Sequence, residues 1–429
     1  MAAFISGAVV SRLKASANLD LFFNVFFLTV SSAGAAAIGF VFWWLASRSF
    51  TAQQVGLSSA LVSAMNLIGL VGDLGLGTFA ISAMYRSERV ASLMSTCFMA
   101  ACFCSASLSL IFLFFIYFYS LELSHALEGA LRWVLFMCGA AVTGLLLVVD
   151  QALVGMMRSS LQLTRNLFAS VFKLVFLFLA VSFSPGEWFY IFITWVASSV
   201  VSVIFVLVLA QRQKMPFVGF PDFQLLRGMG VSIFGHHALN LATQMVGHLL
   251  PLVVTVMISA TANAAFFTAW MIVQVLCLGP ASLATVLFPV VVKEPLRLPD
   301  LMRLSLLLSV LIAAFGWLFL FFSGPTVLMF FNAVFVIDGY QALLVLGLGI
   351  FPLAIKYHFV ALRRIQNQMG SASVTLATAA VLEIGCSVLG GQLGGLVGLC
   401  MGWLLAASVQ GVWLAPALLS SMRGLRHSV

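Results

Sequence analysis

From Ser92 to Tyr119 the chain carries no charged side chain, and runs of similar length and apolarity recur along it from end to end. Such runs leave few folds open. Bilayer hydrocarbon is about 30 Å thick, and roughly 20 apolar residues cross it as a helix. Only helices or closed barrels satisfy every backbone hydrogen bond in lipid. A barrel would alternate apolar and polar residues over ten-residue segments, and no such alternation is present. Composition agrees: 63% of residues are hydrophobic and 7% charged, against about 25% charged in soluble domains. The expectation is an all-α polytopic membrane protein.

Breaks in hydrophobicity predict twelve helices, near 20–46, 55–84, 92–119, 132–156, 166–183, 188–210, 229–258, 264–292, 304–322, 341–360, 372–390 and 395–418. Of the 20 lysines and arginines, Arg48 and Arg132 fall in the odd-numbered loops and Lys173 and Lys356 within helices. All the others, Arg165 and Arg303 among them, fall at the N-terminus, the even-numbered loops or the C-terminus. Basic loops stay cytoplasmic, so both termini are expected inside. The net charge of +8 reflects these loops rather than nucleic-acid binding. Arg12 and Lys14 precede a first apolar run with no small-residue cleavage site, which reads as a retained helix. Trp43, Trp44, Tyr117, Tyr119, Trp133, Trp188 and Tyr340 read as an aromatic belt that anchors the outer interface.

The longest inner loop, QRQKMPFVGFPDFQLLR at 211–227, falls between helices six and seven. It divides the chain into an N-terminal six-helix bundle (1–210), a cytoplasmic linker (211–228) and a C-terminal bundle (229–429). Six helices per half imply parallel repeats, as in several transporter folds.

Polar residues recur at helical spacing within four predicted spans. Helix one carries Asp20, Asn24 and Ser31. Helix two carries Ser59, Ser63, Asn66 and Asp73. Helix seven carries His236, Asn240, Gln244 and His248, four apart, with His237 adjacent. Helix eight carries Thr268 and Gln274. One polar residue alone would be glue between helices. Stripes on the first two helices of each half point to a hydrated central cavity.

Asp150 and Lys173 lie equally far from the loop between helices four and five, so an antiparallel hairpin sets them at one depth. Two readings stand: a structural ion pair, or a Lys173 that also offers positive charge to an anionic ligand. Lys356 is a further buried cation. Glu383, near mid-membrane, and Asp73 are candidates for ion coupling, with pairing to a neighbouring base as the other reading for Glu383.

The seven cysteines lie in apolar runs without a CxxC pair and read as packing groups. GxxxxGK[ST], HExxH and GxSxG are absent, and the histidines have no acidic cluster beside them. No cofactor or metal is expected. A membrane-embedded polymerase or glycosyltransferase would carry a long outer loop or a clustered acid/base set, so an enzyme is the weaker reading.

Two stretches, SFTAQQVGLSSALVSAMNLIGLVGDLGLG (49–77) and DQALVGMMRSSLQLTRNLFASVFKL (150–174), together with the twelve-helix layout, resemble the polysaccharide biosynthesis proteins. These are oligosaccharide flippases of the multidrug/oligosaccharidyl-lipid/polysaccharide exporter superfamily. The resemblance implies V-shaped bundles around a cavity lined by helices one, two, seven and eight. It implies transport of undecaprenyl-diphosphate-linked oligosaccharide between the leaflets of a bacterial cytoplasmic (inner) membrane by alternating access. Membrane lipids, other polysaccharide-assembly proteins, and protons or sodium as coupling ions are the partners it suggests. Asn24, Asn66, Asp73, Asp150, Lys173, His236, His237, Asn240, Gln244, His248, Gln274 and Lys356 are the cavity candidates. A cation-coupled multidrug exporter on the same fold is the alternative.

Overall fold

The computed structural model describes residues 33–183, 186–228, 230–293 and 295–422. Arg12, Lys14, Asp20, Asn24, Ser31, Arg423 and Arg426 lie outside the described residues. Helix α1 covers 33–49. It is followed by α2 (Ala52–Gly72), α3 (Leu76–Met84), α4 (Val90–Tyr119), the short α5 (Leu121–Ala126), α6 (Ala130–Gly155), α7 (Ser159–Phe183) and α8 (Phe189–Arg212). Beyond a 3-10 turn at Phe223–Gly228 come α9 (Val231–Met257), α10 (Ala260–Lys293), α11 (Leu298–Phe331), α12 (Ala333–Leu348), α13 (Ile350–Ile365) and α14 (Met369–Met422).

Nine of these helices are long and apolar enough to cross a membrane, and the number is ten if α12 and α13, bent by 40° at their junction, count as one span. α14 is two helices joined where Gly394 and Gly395 leave helical geometry, Gly395 with φ +59°. With that division, and with α1, the described residues contain a segment of each of the twelve expected spans. No strand occurs among them. The chain is a multi-pass membrane protein. Its loops define a basic end, with Arg86, Arg89, Arg158, Arg212 and Arg227, and an opposite end with Glu122, Glu128 and Glu187.

Helix boundaries follow local chemistry. Thr51 caps α2 through a capping box: its hydroxyl accepts from the Gln54 backbone N–H, and the Gln54 side chain accepts from Thr51 N–H. α2 and α3 form one expected span, broken at Asp73–Gly75. There Leu74 (φ +47°) and Gly75 (φ +80°) turn left-handed. The Asp73 carboxylate accepts from Gly75 N–H at 3.2 Å and Gly77 N–H at 3.1 Å. It thus satisfies donors that a helix start leaves open. Two assignments are corrected. Arg165 and Arg303 are not loop cations, because α7 begins at Ser159 and α11 at Leu298. No breaker separates Ser159 from Arg165, and Pro299 favours the first turn of α11.

Helices preceding the 213–230 segment pack largely with one another, α4 on α6 and α7 on α8. Those following it do likewise, α9 on α14 and α10 on α13. The two sets meet chiefly where α2 lies against α9 and α10.

Candidate functional site

The N- and C-terminal sets touch at both ends of α2. At the acidic end Gly56 lies so close to α10 that a Cβ would stand 1.7 Å from the Ala260 carbonyl oxygen. Asn263 Nδ2 donates to Gly56 O at 2.8 Å and to Ser59 Oγ at 3.1 Å, fully buried. Glu122 accepts from Ala260 N–H at 3.2 Å. Asn332 Nδ2 donates to Ser47 O, and the Trp44 indole N–H to Phe330 O at 3.0 Å. Trp43 packs on Phe267 with ring centroids 4.8 Å apart. Trp43 and Trp44, expected as interfacial anchors, therefore face the opposite set of helices.

At the basic end of α2, His237 Nδ1 of α9 lies 3.5 Å from Asp73 Oδ2, with both residues buried. A Cβ at Gly75 would stand 3.1 Å from the His237 Cβ.

Between these contacts lies a cavity of about 610 Å³. Of the expected residues, Asn66, Gln244, His248, Gln274, Lys356 and Glu383 line it. Helical spacing found Asn66, Gln244, His248 and Gln274, and Lys356 and Glu383 stood out as charges within apolar helices. Trp195, Phe267, Trp270, Tyr357, Trp403 and Arg364 also line it and were not anticipated. Aromatic residues in a membrane helix read as packing, and Arg364 read as a loop cation. The lining runs from mid-span to the basic end, where Ala284, Thr285 and Arg364 lie near the ends of α10 and α13.

The charges are unevenly compensated. Lys356 Nζ donates to Glu383 Oε1 at 3.1 Å, and the Trp403 indole N–H donates to Glu383 Oε2 at 2.9 Å. Lys356, Glu383 and Trp403 are 5%, 1% and 0% exposed, so the pair is a closed unit within the wall. Arg364 is exposed as a residue, lines the basic mouth and has no carboxylate partner among the described residues.

The other candidates lie elsewhere. Asp150 does not pair with Lys173. Arg165 Nη2 donates to Asp150 Oδ2 at 2.6 Å and to Asn166 Oδ1, and Arg165 Nη1 donates to Ser202 Oγ at 3.1 Å. Arg165 stands about two helical turns closer to the α6–α7 turn than Lys173, and its longer fork reaches the carboxylate first. The Lys173 ammonium sits 3.3 Å from the centroid of the Trp195 ring, so Lys173 meets the cavity wall from behind. Asp73 and His237 form the inter-helix contact, while His236 and Asn240 are not in the lining. No group of three or more His, Cys, Asp or Glu among the described residues could hold a metal ion.

No curated protein matches the chain. Solved structures share its fold over nearly the whole length. An inward-facing multidrug resistance MATE family transporter of the MOP superfamily aligns with TM-score 0.62 at 16% identity, over 93% of this chain and 96% of that one. An outward-facing one aligns with TM-score 0.59 at 12% identity, over 94% and 96%. A MOP superfamily transporter from Pyrococcus furiosus, described as having a binding pocket of reverse polarity, aligns with TM-score 0.60 at 12% identity, over 94% and 96%. The family model described as polysaccharide biosynthesis protein matches residues 21–294, more than half of the sequence. On this match, with a transporter fold around a central cavity, the chain belongs to the polysaccharide biosynthesis protein family.

Proposed function

We propose that the protein carries lipid-linked oligosaccharide, of the undecaprenyl-diphosphate type, from the inner to the outer leaflet of a bacterial cytoplasmic membrane. The observation that carries this reading is the cavity lining. Amides from Asn66, Gln244 and Gln274, the His248 imidazole and several aromatic rings face one chamber, and an unpaired Arg364 stands at its basic mouth. Sugar hydroxyls pair with amides and imidazole, and a diphosphate pairs with a guanidinium fork. The lipid tail stays in the bilayer. On this reading the basic end is cytoplasmic, with both termini inside. The two six-helix bundles, divided at 211–228, rock about the cavity to alternate access.

The test uses reconstituted vesicles containing fluorescent polyprenyl-diphosphate sugars, with an impermeant quencher reporting leaflet exchange. Exchange above protein-free vesicles, lowered by Arg364→Gln, is expected. Vesicles that leave the sugar lipids in place but move a cationic dye along a pH gradient would instead identify a drug exporter.

A further inference from the structure

We infer that the chamber accepts an uncharged glycan and that the anionic linkage stays at its mouth. The inference rests on the flippase reading and names the substrate class. Among the described residues three full charges line the cavity: Lys356, Glu383 and Arg364. Glu383 spends one oxygen on Lys356 and the other on the Trp403 indole, so neither partner of that pair is left to meet a ligand charge. Among the described residues the remainder of the lining carries no carboxylate, lysine or arginine: it offers the amides of Asn66, Gln244 and Gln274, the His248 imidazole, the hydroxyls of Ser63, Thr243 and Tyr357, and indole and phenyl faces.

A uronate carried inward would be desolvated with no free lysine or arginine among the described residues to receive it, which penalises the charged form strongly. A neutral hexose exchanges water for amides and hydroxyls at little cost. A cationic ligand fares no better, because the sole lining carboxylate among the described residues is already bonded twice. Arg364, at the end of α13 and exposed, is the one uncompensated charge among the described lining residues. A phosphate held there leaves its sugar pointing into the chamber. The Lys356–Glu383 pair therefore acts as a charge filter: it supplies polarity to the wall while cancelling the field that would admit acidic sugars.

The experiment compares two polyprenyl-diphosphate disaccharides that differ only by a hydroxymethyl or carboxylate group on the distal sugar. Binding to purified protein in detergent and exchange in vesicles are both measured. The unmodified protein should favour the neutral lipid by about tenfold or more in both readouts. Glu383→Gln keeps an acceptor for the Trp403 indole but frees the Lys356 charge, and the preference should fall by about tenfold or invert. The double variant Lys356→Met with Glu383→Gln removes both charges, protects against a folding failure of the single variant, and should keep the neutral preference. Equal affinity for the two lipids, or an unchanged ratio in folded Glu383→Gln, overturns the inference. Selective binding without exchange would uphold the charge filter and sink the flippase reading; exchange of both lipids at equal rates would do the reverse.

Discussion

Gly56→Ala is expected to hold the acidic end of the protein open. The added Cβ would lie 1.7 Å from the Ala260 carbonyl oxygen and 2.5 Å from its carbon. Non-bonded heavy atoms need about 3.5 Å, so α2 and α10 must part by roughly 1.8 Å at this point. The obstacle is backbone, and no side chain can swing aside. The same shift carries Asn263 Nδ2 away from Gly56 O, now at 2.8 Å, and past the limit of a useful hydrogen bond. A buried amide left without its acceptor costs about 1–3 kcal/mol. The closed population should therefore fall between about fivefold and about 150-fold. Alanine is also the better helix former, so α2 itself is not weakened. Spin labels at His125 and Val334, both exposed and on opposite sides of the seam, would report the separation in a background free of the seven native cysteines. A longer inter-label distance in Gly56→Ala is expected. An unchanged distance distribution in a folded variant would refute the steric argument.

Three further outcomes follow from the polar contacts. Arg165→Met strands Asp150 in a buried site and should cost about 3–5 kcal/mol, read as a lower melting temperature; Lys173→Ala should add to Asp150→Ala without coupling beyond about 0.5 kcal/mol, and rescue of one by the other would restore the Asp150–Lys173 pair. Trp403→Phe deletes the donor to Glu383 Oε2 and should cost about 1.5–3 kcal/mol, whereas a melting temperature equal to the unmodified protein's would show that the indole bond contributes nothing. Asp73→Ala removes both acceptors at the start of α3 and should cost about 1–2 kcal/mol; His237→Leu should cost clearly less, and equal losses would contradict the assignment of Asp73 as a helix cap first and an inter-helix contact second.

Much of the fold was legible because lipid imposes a strict rule: every span must be long, apolar and helical. Charge alternation supported the count of twelve, and Arg165 and Arg303, read as loop cations, mark helices that begin earlier than their hydrophobicity does. The motif residues were recognisable without being interpretable. Thr51, Gln54 and Gly56 turn out to be a capping box followed by a backbone contact with α10, and Asp73-Leu-Gly is a left-handed break. Neither can be seen in one dimension, because Gly56 matters only through Ala260, some two hundred residues away. Polarity on apolar helices pointed to roughly a quarter of the cavity lining. The indoles were missed because Trp195 and Trp270 look like any packed aromatic until the cavity is seen beside them. The Asp150–Lys173 pairing failed for a related reason. Equal depth in a hairpin is necessary for contact, but the rotation of α7 about its axis decides which cation meets the carboxylate, and that rotation is set by packing.

The two inter-helix contacts on the α2–α3 unit are unequal, and the inequality gives the molecule a direction. Gly56 and Asp73 are separated by roughly 25 Å along the helix, and the cavity residues Ser63 and Asn66 lie between them. Parting the acidic end removes Asn263 Nδ2 from both Gly56 O and Ser59 Oγ, leaving a fully buried amide with nothing to donate to. Among the described polar contacts, parting the basic end removes His237 from Asp73. The carboxylate keeps its bonds to the Gly75 and Gly77 N–H groups, so no charge is orphaned. A buried donor without an acceptor is the costlier loss, so the basic end opens more readily than the acidic end. Asp73 thus serves as both helix cap and releasable contact, because two backbone donors hold its charge whichever way the bundles stand. On the proposed function, which sets the basic end in the cytoplasm, a chamber that opens there more readily waits on the side where a lipid-linked sugar would be assembled.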